Sequence, residues 1–225
     1  LHNMRTLHYV PPEKRERISQ ETMDIYAPLA GRMGMQSMRE ELEELAFQNL
    51  HPAAHALMHE KLADMRERTR SLVEEIERTV VSDLAAASIT AAVKSRYKRP
   101  YSIFRKMDRN SVSFEQLSDL IGFRVIVDKV EECYAALGVV HVRYRAVPER
   151  FKDYISTPKQ NDYRSLHTTV VGPSSERVEL QIRTHEMNEI AEQGIAAHTL
   201  YKDGIYTAED FASRSESELL PESRA

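Results

Sequence analysis

The run RVELQIR (177–183) places Glu179 in a row with Arg177, Gln181 and Arg183, while Val178, Leu180 and Ile182 occupy the alternate positions. On a strand this pattern makes one face apolar and the other wholly polar. An exposed antiparallel face accounts for such alternation. So does a metal–phosphate site, in which the carboxylate holds a hard cation and guanidiniums bind phosphate oxygens. A second acid, Asp119, stands just before the apolar run IGFRVIVD (121–128), where a turn aspartate is the competing explanation. Magnesium usually takes one or two carboxylates together with phosphates and water, a requirement that Asp119 and Glu179 would meet on neighbouring strands.

Cations gather in two other segments. PERFKDYISTPKQNDYRSLHTTVV (148–171) carries Arg150, Lys152, Lys159 and Arg164, with Asn161, Tyr163 and His167 among them, on a loop that feeds a β-branched run. SRYKRPYSIFRKM (95–107) puts Arg96, Lys98, Ser102, Arg105 and Lys106 at the start of an expected helix, with Pro100 setting the entry. Lys94 to Arg109 holds seven Lys or Arg and one Asp, a local net of +6 in a chain whose net charge is −4. That distribution points to a local anion site rather than a general nucleic-acid surface. Walker, GxGxxG, CxxC and HExxH motifs are absent, so phosphate chemistry here needs side-chain cations and a metal. His141 and His167 are expected on strands, His185 and His198 around the last helix, each as a structural residue or a hydrogen-bonding partner.

These residues need a scaffold. Residues 1 to about 85 read as helices: Ile18, Met23, Ile25, Tyr26 and Leu29 form one expected core stripe, and Met38, Leu42, Leu45 and Ala46 another. Ser37 with Glu40 resembles a capping box, and a long charged pattern runs from about Ala53 to Leu84. The second half changes period. Strands are expected at 121–128, 139–145, 165–171 and 177–183, with helical patterns at 113–120, 130–137 and 185–201. The fold class is therefore α+β, with a mixed sheet flanked by helices. The chain of 225 residues has 41% hydrophobic residues and one cysteine, Cys133, which reads as a buried small hydrophobe and excludes a disulfide framework. No apolar run approaches a membrane span, and a reducing cytoplasm is the expected location. The initial Leu1 suggests excision from a longer protein.

Four blocks, RYKRPYSIFRKM, FEQLSDLIGFRVIV, RFKDYISTPKQNDYRSLHTT and VELQIRTHEMNEIAEQGIAAH, resemble in that order the synthetase domain of the Rel/Spo (p)ppGpp synthetase/hydrolase family. LHNMRTL and the helices after it resemble the end of that family's HD-type hydrolase domain. The resemblance implies residues 1–84 as hydrolase remnant and connecting helices, 85–203 as a nucleotidyltransferase-like synthetase domain, and 204–225 as a linker or tail. It implies an ATP:GTP(GDP) 3′-pyrophosphotransferase. Arg96, Lys98, Ser102, Lys106 and Arg124 would hold ATP, and Lys152, Lys159, Asn161, Tyr163 and His167 would hold GTP or GDP. Asp119 and Glu179 would bind magnesium, or manganese in its place, while Gln181 and Arg183 support the reacting groups. A ribosome or regulatory domains are the implied partners of the full-length protein, with no DNA or membrane. Asn3 and Thr6 match nucleotide-contacting positions of the hydrolase domain, whose metal ligands would lie upstream of Leu1, so hydrolysis is not expected from these residues. A silent nucleotide-binding fragment and an RNA-binding module are the alternative readings. Glu149 and Asp162 stand where the family favours Gly, as does Ser95.

Overall fold

The computed structural model describes residues 1–117, 120–172 and 177–194. Its elements are α1 (His2–Arg5), α2 (Pro12–Glu21), α3 (Ala27–Arg32), α4 (Gln36–Leu50), α5 (Pro52–Ala86), β1 (Ala92–Tyr97), α6 (Pro100–Asn110), β2 (Ile121–Val127), α7 (Val130–Arg143), β3 (Arg145–Ala146), β4 (Lys152–Asp153), β5 (Leu166–Val171), β6 (Arg177–Thr184) and α8 (His185–Gln193). The strands form one mixed sheet in the order β1-β2-β6-β5-β3, with β4 also paired to β5. Among the described residues, only β2 and β6 run parallel.

Two helices cover the apolar face. Val73, Ile76, Val80 and Leu84 on α5 pack with Cys133, Ala136 and Val140 on α7 against Phe123, Val125, Leu180 and Ile182 of the central strands. The first half of α5 turns Met58, Leu62 and Met65 toward Phe47 of α4 and Ile103 of α6. At roughly 1.5 Å per residue this helix is about 50 Å long, so one rod joins the helical region to the sheet. Pro100 opens α6 at its first turn, as its fixed φ and missing N–H favour.

The structure departs from the expectations where tertiary packing overrides local pattern. A strand is expected at 139–145, but α7 continues to Arg143 and carries His141 on a helix. Cys133, Ala136 and Val140 share one helical face and bury completely, which outweighs the β-branched preference of the segment. The stretch 113–120 contains a single 3₁₀ turn, Phe114–Gln116, among its described residues. Arg96 and Lys98 do not open a helix, because β1 takes 92–97 as an edge strand of the sheet. Ile25, Tyr26 and Leu29 are half exposed rather than core. A π-turn at Thr22–Tyr26 adds a residue between α2 and α3, which rotates Ala27 and Ala30 inward instead. Ser37 does not cap α4; its hydroxyl donates to the Glu192 carbonyl at 2.7 Å. α8 spans His185–Gln193 with Gly194 after it, and the remainder of the helix expected to 201, His198 included, lies outside the described residues.

Glu149 and Asp162 both adopt left-handed backbone, with φ of 64° and 54°. Glycine suits these positions because other residues place Cβ against the following carbonyl there, at roughly 1 kcal/mol or more. Ser95 is different, an extended strand residue whose N–H donates to Glu77. Glu149→Gly is expected to preserve stability or raise it by up to about 1 kcal/mol, since strain relief competes with glycine's chain entropy. Glu149→Val is expected to lower it by roughly 1–2 kcal/mol. Urea unfolding measures both, and a valine variant as stable as the glycine variant contradicts the left-handed assignment.

Candidate functional site

Sheet register gathers the polar side chains. Gly122 pairs with Glu179, Arg124 with Gln181 and Ile126 with Arg183. On the other side of β6, His167 pairs with Gln181 and Thr169 with Glu179. Arg96 pairs with Gly122 across β1 and β2. Paired residues and their i±2 neighbours share a face. Arg96, Arg124, Glu179, Gln181, Arg183 and His167 therefore stand on one side of the sheet. Gly122, lacking a side chain, leaves room beside Glu179.

That face is covered. Gly31, Gly34 and Arg39 from the α3–α4 region and Ile190 and Glu192 from α8 close a cavity of about 250 Å³ over it. Its sheet-side wall contains Arg96, Arg124, Gln181 and Arg183, and its loop wall contains Lys159, Asn161 and Tyr163. A neighbouring cavity of about 220 Å³ is lined by Lys98, Ser102, Glu179 and Glu40, and shares Arg96, Arg124 and Gln181 with the first. Ser102 also borders a third space of about 240 Å³ with Arg105 and Lys106. Most expected ATP-side residues thus fall on one end, and Lys159, Asn161 and Tyr163 on the other. Lys152 is exposed on β4, in register with His167, and lines neither of the first two cavities. Asp119 lies outside the described residues.

The loop wall is an aromatic–cation cluster. Lys159 Nζ sits 4.5 Å from the Tyr154 ring centroid and 4.8 Å from that of Tyr163. Burial pushes the Lys159 pKa down. Tyr163 Oη and His167 Nε2 are 2.8 Å apart, and His167 Nδ1 lies 3.8 Å from Glu179 Oε1. Burial first, then the charges of Lys159 and Arg183, lower the His167 pKa to about 4. His167 is therefore neutral at pH 7 and cannot pair with Glu179 as a cation.

Arg183 is only 1% exposed, a cation the alternating pattern alone would leave at the surface. Its Nη2 donates to Asn188 at 2.7 Å and lies 3.7 Å from Glu192. Arg124 Nη2 pairs with the same Glu192 carboxylate at 2.6 Å. Among the described residues, the buried Nε atoms of both Arg124 and Arg183 make no hydrogen bond. Leaving such donors unmet is costly, so the wall retains unused capacity for an anion.

Two acids that spacing does not reveal complete the site. Glu40 of α4, 8% exposed, contacts Arg96 and pairs with Arg99 at 3.3 Å. Burial alone would raise the Glu40 pKa, but hydrogen bonds from Gln36 and Arg96 and the charges of Arg96 and Arg99 hold it below its usual value. Glu192 lies within the motif block of α8 and was readable there only as an acid of unknown direction. Glu40 reads locally as part of a capping box, and its arginine partners are more than 50 positions away.

A family model described as "Region found in RelA / SpoT proteins" matches residues 95–206, and an HD domain model matches residues 1–36. The GTP pyrophosphokinase rsh of Brucella ovis is 61% identical over 203 residues, 90% of this chain and 27% of that protein. The GTP pyrophosphokinase of Myxococcus xanthus is 47% identical over the same shares of the two chains, 90% and 27%. The chain thus spans about a quarter of the length of these curated relatives. Small alarmone synthetase 1 of Bacillus subtilis is 26% identical over 68% of this chain and 86% of that one, with a TM-score of 0.48. Among the described residues, no helix is long and apolar enough to cross a membrane.

The depressed His167 pKa carries a signed expectation. Unfolded, the imidazole titrates near 6.5; folded, near 4. Its contribution to stability is complete above the higher value and is lost as pH falls from 6.5 to about 4, because the unfolded chain takes the proton first. Wild-type unfolding free energy should fall more steeply across that window than that of His167→Gln, by at most roughly 3 kcal/mol. Parallel pH–stability curves for the two proteins would contradict the buried neutral imidazole.

Proposed function

The chain belongs to the RelA/SpoT family, and on that premise we propose that it is an ATP:GTP(GDP) 3′-pyrophosphotransferase that makes (p)ppGpp. The observation that carries this reading is the covered polar face. Arg96, Arg124 and Gln181 line both adjoining cavities, with Arg183 in one and Glu179 in the other, and two buried guanidinium Nε atoms have no hydrogen-bond acceptor among the described residues.

The chemistry is a displacement at phosphorus. The acceptor's ribose 3′ oxygen forms a bond to the β-phosphorus of ATP, and the bond from that phosphorus to the α–β bridging oxygen breaks. AMP leaves with the bonding electrons, and the 3′ proton goes to the Glu179 carboxylate. Arg96, Arg124, Lys98 and Ser102 would hold the ATP phosphates, with Lys106 farther along the same wall. The phosphates would take over the cationic contacts that Glu40 and Glu192 now make. Lys159, Asn161 and Tyr163 would hold GTP or GDP, with Lys152 at the rim. Guanine stacking on Tyr163 would take a ring face from one of its neighbouring cations, for roughly 1–3 kcal/mol. His167, neutral and bonded to Tyr163, would fix the ring's tilt. Gln181 and Arg183 would carry charge that develops on the transferred group.

Glu179 suits a divalent cation: it is a half-buried carboxylate on the phosphate-facing side, with no Lys or Arg among its ion pairs in the described residues. Magnesium, or manganese in its place, would be held by Glu179 and Asp119 and would supply neutralisation of phosphate charge. In the full-length protein the site would work in the cytoplasm, subject to regulatory domains or a ribosome.

Glu179→Gln is expected to lower formation of AMP and ppGpp from ATP plus GDP by at least about 100-fold while circular dichroism stays unchanged. Tyr163→Ala is expected to raise KM for GDP about tenfold or more, with a smaller effect on KM for ATP. Chromatographic assay of both products measures these changes. Wild-type turnover in Glu179→Gln would sink the reading.

A further inference from the structure

One turn beyond Glu40 along α4, we propose a second metal site, formed by Glu44, His55 and His59, for a borderline divalent cation of the zinc class. His55 and His59 are four residues apart on α5, so they project from one face of the helix. Glu44 reaches them from α4. Its Oε1 lies 2.9 Å from His55 Nε2 and 2.8 Å from His59 Nε2. One ligand atom from each of the three residues falls within 4.8 Å of every other, and the imidazole centroids are 4.4 Å apart. The second carboxylate oxygen, Glu44 Oε2, is buried and makes no hydrogen bond among the described residues. None of these residues lines the nucleotide cavities.

Two neutral imidazoles and one carboxylate are the donor set of an open zinc site, with water in the fourth position. Bond lengths near 2.0–2.1 Å place ligand atoms about 3.3 Å apart on a tetrahedron. The two carboxylate-to-imidazole spacings of 2.9 and 2.8 Å need to widen by about half an ångström. The His59 side chain is 54% exposed and can make that adjustment. Without metal, the two imidazoles share one carboxylate oxygen as hydrogen-bond partners. A cation would replace that arrangement with bonds from both rings, and would give α4 a fixed attachment to α5. Glu40 lies one turn before Glu44 on α4, so the same attachment would hold the helix that brings Glu40 to Arg96.

The test uses the nucleotide-free chain after dialysis against chelator. Zinc is titrated calorimetrically and cobalt by visible absorption. One equivalent of zinc is expected, with the absorption of four-coordinate cobalt and a rise in Tm. His59→Ala, at an exposed position, and Glu44→Gln should each weaken binding at least tenfold. Glu179→Gln should leave the zinc isotherm unchanged. Absence of saturable one-equivalent binding overturns the proposal. So does wild-type affinity in both His59→Ala and Glu44→Gln, or loss of the zinc isotherm in Glu179→Gln.

Discussion

The site depends on the register of β6 between a parallel neighbour, β2, and an antiparallel one, β5. Because side chains alternate with a period of two, that register sends Val178, Leu180 and Ile182 into the core and Glu179, Gln181 and Arg183 to the other face. A slip of one residue would bury a glutamate, a glutamine and an arginine against α5 and α7. The apolar face therefore selects the register, and the register assembles the polar site. Arg124 and His167 arrive beside Gln181 by the same rule.

A polar face covered by helices has an electrostatic cost that must be offset locally. Glu192 meets Arg124 and Arg183, and Glu40 meets Arg96 and Arg99. The covering layer is held close by glycine. Gly34 and Gly194 have φ of 78° and 85°, and a Cβ on Gly194 would come within 3.0 Å of the Met33 carbonyl and 3.3 Å of Gly34. The carboxylates are the groups a phosphate would exchange with, so this arrangement balances charge before substrate arrives and leaves cations in place for it. An RNA-binding reading has no use for Glu179 in the middle of such a wall.

Much of this was legible in the sequence. The alternation in RVELQIR marked the polar face, and the helical period of 53–84 marked α5. Glu149 and Asp162 stood out because the resembled family favours glycine there, and both adopt the left-handed backbone that glycine suits. What local pattern could not supply was partnership at long range. Glu40 looked like half of a capping box and instead meets Arg96 across 56 positions. The valines of 139–142 looked like a strand until α7 was needed to cover the sheet. Ile25, Tyr26 and Leu29 followed a 3.6-residue period that the π-turn interrupts. Asp119 remains an expectation of the sequence, outside the described residues.

A crystal structure of the chain soaked with GDP and a non-hydrolysable ATP analogue tests the central claim directly. The account predicts guanine against Tyr163, analogue phosphates on Arg96 and Arg124 in place of the Glu40 and Glu192 carboxylates, and the ribose 3′ oxygen on the Glu179 side of the β-phosphorus. Nucleotides bound elsewhere, with Arg96 still on Glu40 and Arg124 still on Glu192, would contradict it.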